Sequence, residues 1–150
     1  MGKTIAKNKK AYHEYIISDV LECGMVLVGP EVKSVRAGRV NLKDSYAVIK
    51  GGEVWVHNLH ISPYRYATHA SPDPLRKRKL LLHRREIDKL LGKTQERGYT
   101  LIPVNMYFND QGYIKIGLGL AKGKDLYDKR QTLKKKEADR EMGRIRKEYR

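Results

Sequence analysis

A chain of 150 residues is long enough for one domain with a real core plus one appendage. Lys and Arg number 32 against 17 Asp and Glu, and the formal net charge of +15 favours a polyanionic partner, either nucleic acid or an acidic membrane surface. No apolar run approaches the roughly 18 residues of a membrane span, and residues 1–6 lack the apolar stretch of a secretory signal. Ala6 stands where a myristoylation signal requires Ser or Thr. The single cysteine, Cys23, excludes an internal disulfide and a cysteine-based zinc site and suits the reducing cytoplasm. Nucleic acid is therefore the leading partner class before any motif is read.

Residues 1–12 carry Lys3, Lys7, Lys9 and Lys10 with little apolar content. They read as a mobile basic arm, and ordering by RNA or service as a disordered solubilising leader fit it equally. An apolar segment of β type runs over 15–21. Gly24 interrupts it and Met25-Val26-Leu27-Val28 resumes, so two short strands or one strand bent or bulged at Gly24 both fit. Gly29-Pro30 stops this segment and starts a short helix over 31–37. Pro30 suits a first helical position, Glu31 favours the positive N-terminal end, and Gly38 follows the last turn. Val32 and Val35 share one helix face as a plug, while Lys33 and Arg36 share another. Those two cations read either as a solvated face or as contacts to a polyanion.

Residues 45–50 and 53–61 read as a hairpin turned at Gly51-Gly52, where both glycines can take positive φ. The return strand is apolar on both faces, as suits a closed sheet. A loop rich in Ala, Ser, Thr and Pro spans 64–75, and Arg76-Lys77-Arg78-Lys79 is the densest cationic run. His83 caps the next helix with Glu86 three residues on, and Ile87, Leu90 and Leu91 form its apolar face. Residues 100–108 and 113–120 form a last hairpin around the turn 109–112. Pro103 marks an edge or a bulge, and Gly117 and Gly119 suit a strongly coiled strand. The order predicts a mainly β domain over 13–121. It is a small closed antiparallel OB-type barrel of about six strands with two or three short helices.

Residues 122–150 differ in kind. Twelve cations against six anions give 12 − 6 = +6, and Ala138, Met142, Ile145 and Tyr149 recur at helical spacing. So narrow a stripe buries too little area to hold a lone helix, so this tail is expected to be disordered when free and helical when bound.

Little enzymatic chemistry is written here. His57 and His60 would face opposite sides of a strand, which argues against shared metal ligation, so no metal or cofactor is expected. His13 and His83 could act as acid or base, but no spacing joins them. No phosphate-cradling glycine loop, nucleophile elbow or carboxylate pair is present, and the reading is of a protein that is not an enzyme. RNA binding draws support from aromatic residues set among cations: Tyr64, Arg65 and Tyr66, then 76–79, then Lys122, Lys124, Tyr127, Lys129 and Arg130. Tyr15, Tyr46, Tyr107 and Tyr113, inside strands, read as ordinary packing.

Several stretches in order carry a resemblance. They are Glu31-Val32-Lys33-Ser34-Val35-Arg36-Ala37-Gly38, Asn41-Leu42-Lys43-Asp44-Ser45-Tyr46, Gly52-Glu53-Val54-Trp55, Asp73-Pro74-Leu75-Arg76-Lys77-Arg78-Lys79-Leu80-Leu81-Leu82-His83, Ala121-Lys122-Gly123-Lys124 and Asp128-Lys129-Arg130. Together they closely resemble the family of SsrA-binding proteins, or small protein B, over nearly the whole chain. The resemblance implies a bacterial protein, most simply a monomer, that binds the tRNA-like domain of transfer-messenger RNA and brings it to ribosomes stalled on messages without a stop codon. Contact with elongation factor Tu would run through the same RNA. It implies RNA contacts at Asn8, His13, Glu22, Leu81, Lys115, Lys122 and Lys124. To these the cationic pattern adds Lys33, Arg36, Arg76 and Arg78. Leu81 could equally be core, and Glu22, being anionic, would accept hydrogen bonds or orient a cation. In the tail, Tyr127, Asp128, Lys129 and Arg130 would meet the decoding centre, and Ile145 would lie on the helix in the mRNA channel. Two other readings remain: a general RNA-binding OB module whose tail is an electrostatic tether, and an RNA-processing enzyme using His13 or His83.

Overall fold

The computed structural model describes residues 3–64, 72–96 and 98–124. Thr4–Lys7 (β1) leads into a one-and-a-half-turn helix, Lys9–Glu14 (α1), and then the long strand Tyr15–Met25 (β2). Gly29–Arg36 (α2) follows, then Val40–Asn41 (β3), Tyr46–Lys50 (β4), Glu53–His57 (β5), His60–Ile61 (β6) and Arg78–Leu81 (β7). Arg84–Thr94 (α3), Tyr99–Phe108 (β8) and Ile114–Gly123 (β9) complete the described chain.

Every pairing in the main sheet is antiparallel, in the order β1-β8-β4-β5-β7-β2-β9, and β9 also pairs with β8. That last pairing closes six strands, β2 to β9 without β1, β3 and β6, into a ring. β1 lies outside the ring as an added strand on β8. The expected closed barrel is present, and its wall explains the sequence pattern. β8 and β9 are apolar through their middles because both faces are covered. Leu101, Met106, Ile116, Leu118 and Leu120 point into the core with Val54, Val56 and Leu80. Ala11 of α1 packs outside on Ile102 and Ala121. Val35 of α2 and Ile87 and Leu90 of α3 join the main core as their spacing predicts, whereas Val32 lines an open cleft and Leu91 is exposed.

Four expectations change. Residues 4–7 are paired to β8 rather than free, with Thr4 opposite Tyr107 and Lys7 opposite Asn105. The backbone N–H and C=O groups of an open strand edge pair with any chain that can lie beside them, and Ile5, at an irregularity between Thr4 and Ala6, packs with Ala6 against the core. The second departure is in β2, a single strand whose irregularity falls between Ser18 and Leu21 rather than at Gly24. Asp19 takes φ +49° there, a region that Asp tolerates better than most residues. Gly24 instead marks the place where β2 leaves β9 and takes up β7, opposite Leu81. The third is the strand expected over 53–61. It breaks at Asn58 (φ +59°), so β6 departs to pair with β3 in a separate two-stranded sheet. Last, β9 continues to Gly123, two residues into the segment read as tail. Pro103, in contrast, sits at a bulge as expected, the register with β9 shifting between Pro103 and Asn105.

Candidate nucleic-acid interface

The ribbon of β2 and β9 carries Glu22, Lys115 and Lys122, and other expected contacts stand beside its two ends. At one end Gly24 faces Leu81, Glu22 faces Gly117, and on the far side of β9 Lys115 faces Tyr107. Residues two apart on a strand share a face, so Glu22 and Gly24 lie on one side with Lys115 and Gly117. Leu81 is half exposed, so the even choice between core and surface falls to the surface. It lies over Gly24, where an added Cβ would stand 3.4 Å from the Leu81 Cβ. Arg36, Leu81, Tyr113 and Lys115 line an open cleft of about 310 Å³ whose floor is Gly24, Met25 and Leu27. Tyr113, read from sequence as packing, is 67% exposed.

Helix α2 supplies the rim of this cleft. Its backbone begins at Val28, whose N–H donates to Glu31 Oε1 at 3.1 Å, and Pro30 occupies the first turn. The two cations on its outer face rest on aromatic rings: Lys33 Nζ lies 5.4 Å from the Tyr64 ring centre, and Arg36 Cζ lies 5.8 Å from that of Phe108. Both side chains remain exposed.

At the other end of the ribbon Tyr15 faces Gly123 and Ile16 faces Lys122. Lys122 Nζ stands 5.3 Å from the Tyr99 ring centre, and Lys124 Nζ donates to the Tyr12 carbonyl at 3.2 Å. His13 is exposed in the last turn of α1 beside Tyr12, itself 54% exposed. Seven residues of strand separate Lys115 from Lys122, or about 23 Å, and the odd interval starts their side chains from opposite faces of β9, so the two patches of cation and aromatic ring are separate ends of one ribbon.

Two expected contacts prove to be internal. Arg78 is fully buried. Its Nε donates to Glu31 Oε2 at 2.7 Å, its Nη1 to the Leu59 carbonyl at 2.6 Å and its Nη2 to the Pro74 carbonyl at 3.1 Å. Strand alternation explains the error: β7 turns Arg78 and Leu80 inward while Lys79 and Leu81 face out. Asn8, also buried, donates through Nδ2 to the Pro103 carbonyl at 2.9 Å and the Leu42 carbonyl at 3.2 Å, while its Oδ1 accepts the Ala11 N–H. It is the N-cap of α1 and ties that helix to the β8 bulge. Arg76 is shared: Nε and Nη2 form a fork on Glu31 at 3.0 and 2.5 Å, yet the side chain is partly exposed.

Glu31 is thus the hub that sequence reasoning missed. Its sequence position suggests only a dipole-compensating residue, and its two arginine partners lie 45 and 47 residues away with no local signal. Burial works to raise its pKa, but the Arg76 fork, the Val28 N–H and Arg78 together hold it below the ordinary carboxylate value. At Cys23 burial prevails over the lowering effect of Lys115 and pushes the thiol up to about 12, so it is inert rather than nucleophilic. His57 stacks on Tyr46 at 5.1 Å between ring centres and His60 sits in β6, so the two histidines serve different strands. Among the described residues no three of His, Cys, Asp and Glu gather as a metal site. None of the described helices is long and apolar enough to cross a membrane. Arg65 and Tyr66, like Tyr127, Asp128, Lys129, Arg130 and Ile145 of the tail, lie outside the described residues.

A family model described as "SmpB protein" matches residues 5–148. The chain belongs to the SmpB family. It is 59% identical to the SsrA-binding protein of Syntrophotalea carbinolica over 95% of this chain and 94% of that one. With the SsrA-binding protein of Bacillus cytotoxicus the identity is 58%, covering 95% and 92% of the two chains. Among solved structures, a chain of "tmRNA-SmpB: a journey to the center of the bacterial ribosome" matches with a TM-score of 0.67 and 48% identity, covering 79% of this chain and 82% of that one. The SmpB match runs through both cationic patches and on through most of the tail.

Proposed function

We propose that this protein binds the tRNA-like domain of transfer-messenger RNA and delivers it to stalled ribosomes for trans-translation, acting by binding alone and in the cytoplasm. The observation that carries the reading is the convergence of Arg36, Leu81, Tyr113 and Lys115 on one cleft, with Glu22 beside it, in a chain of net charge +15. Cations neutralise phosphates, an exposed tyrosine and a leucine shelf offer apolar faces to unpaired bases, and Glu22 accepts from base or ribose donors. The second patch, His13, Lys122 and Lys124, adds cations at the other end of the ribbon. Membership of a family whose relatives are named for SsrA binding supports this choice over a general RNA-binding module. The tail, with Tyr127, Asp128, Lys129, Arg130 and Ile145, occupies the decoding centre and the empty mRNA channel in this proposal.

The test is competition at about 150 mM salt, where non-specific contacts are already weakened. Labelled tRNA-like domain that stays bound against excess unrelated structured RNA supports the proposal. Displacement in proportion to competitor mass refutes it and leaves a generic polycation. A chain lacking 126–150 separates the two roles: it keeps its RNA affinity and loses tagging at stalled ribosomes. A mere tether would lose affinity and salt dependence together.

A further inference from the structure

The carboxylate beside the cleft, two residues from Gly24 in its lining, is held by a tyrosine from another strand. Glu22 is solvent-exposed on β2, and the Tyr107 hydroxyl, from β8, donates to its Oε2 at 2.5 Å. The strand between them is β9, where Lys115 faces Tyr107 and Gly117 faces Glu22. Their hydrogen bond spans β9; Gly117 bears no side chain there, and the space over it is taken by the Asn105 side chain and Val20 Cγ1. Tyr107 itself is 8% exposed, so its side chain is fixed by packing, while its partner Glu22 is exposed. Burial first, and then the Glu22 carboxylate, push the tyrosine pKa well above its ordinary value, so the hydroxyl keeps its proton and acts as a donor.

A carboxylate held by a neutral hydroxyl is oriented without gaining a compensating charge. It repels phosphate and attracts hydrogen-bond donors, which on RNA are base imino and amino groups and the ribose 2′-hydroxyl. We infer that Tyr107 is a positioning residue for RNA recognition, setting the Glu22 carboxylate at the cleft edge so that it accepts from a base or ribose donor. This rests on the RNA-binding reading above and adds to it a contact that selects for nucleoside edges rather than backbone charge. Lys115, two residues from Gly117 on the same face, supplies the neighbouring phosphate contact. Donor and phosphate contacts side by side fix how a nucleotide lies across the ribbon.

The experiment is a double-mutant cycle on the full chain, reading affinity for the tRNA-like domain from 100 to 400 mM salt. Tyr107→Phe is expected to weaken binding about tenfold, the scale of one hydrogen bond to a charged group. In a Glu22→Gln background the same change is expected to have no further effect. Neither variant should alter the salt slope, whereas Lys115→Ala should lower it by about one. Equal losses from Tyr107→Phe in both backgrounds would mean a structural role and overturn the inference, as would a wild-type affinity in Tyr107→Phe or a reduced slope. Glu22→Asp is a second arm that leaves Tyr107 untouched, keeping the charge and retracting it by one carbon. It should match Glu22→Gln, and wild-type affinity there would overturn the inference. Failure of wild-type protein to prefer the tRNA-like domain over unrelated RNA would instead refute the proposed function.

Discussion

Glu31→Ala is the perturbation that tests the internal arginine cluster. Arg78 has no exposed surface, and Glu31 is its carboxylate partner at 2.7 Å. Deleting Glu31 leaves a buried guanidinium with only the Leu59 and Pro74 carbonyls. Breaking a buried pair by removing one partner costs about 3–5 kcal/mol. Loss of the acceptor for the Val28 N–H at the start of α2 adds about 1 kcal/mol. A total of about 4–6 kcal/mol is a large share of the stability of a domain this size. With a urea slope of about 2 kcal/mol per molar, the midpoint should fall by about 2–3 M. The single tryptophan, Trp55 in β5, is half-buried and reports the transition by fluorescence. Arg76→Ala should cost only about 1 kcal/mol, because that side chain keeps 29% exposure. Glu31→Ala combined with Arg78→Met should recover much of the loss, since no buried charge is then unpaired. A Glu31→Ala cost below about 1 kcal/mol, or a double variant as unstable as the sum of its parts, would refute a buried pair holding α2 to β7.

The same carboxylate makes stability depend on acid. Its pKa is depressed in the folded state, so its contribution is complete above the unfolded value of 4.5 and fades as pH falls through the lower folded value. Thermal midpoints should therefore fall more steeply below pH 4.5 in the wild type than in Glu31→Gln. Leu81→Ala should change unfolding free energy by less than about 1 kcal/mol, because half its surface is already in water, yet weaken RNA binding measured by competition. Gly119→Ala should destabilise by about 1–3 kcal/mol in urea titration, since its Cβ would stand 2.7 Å from Ile17 Cγ2 and 3.2 Å from Val104 Cγ1.

The sequence by itself determined the barrel and its partner class. Alternation, turn residues and helix caps act over a few positions, so both hairpins, α2 with its Pro30 start and α3 with His83 and Glu86 were legible, as was the excess of positive charge. Contacts between residues far apart in the chain were not. The pairing of Glu31 with Arg78 and of Tyr107 with Glu22 spans 47 and 85 residues, and no local pattern signals such a meeting. Tertiary structure also decided which members of one cationic run face water. A strand turns alternate side chains inward, so Arg78 became a buried anchor while its neighbour Lys79 stayed on the surface within ion-pair reach of Glu53. Asn8 moved from supposed arm to helix cap once β1 found the free edge of β8. Composition sets how much charge a chain carries; only the closed sheet, by choosing which faces point outward, decides which of those charges an RNA can reach.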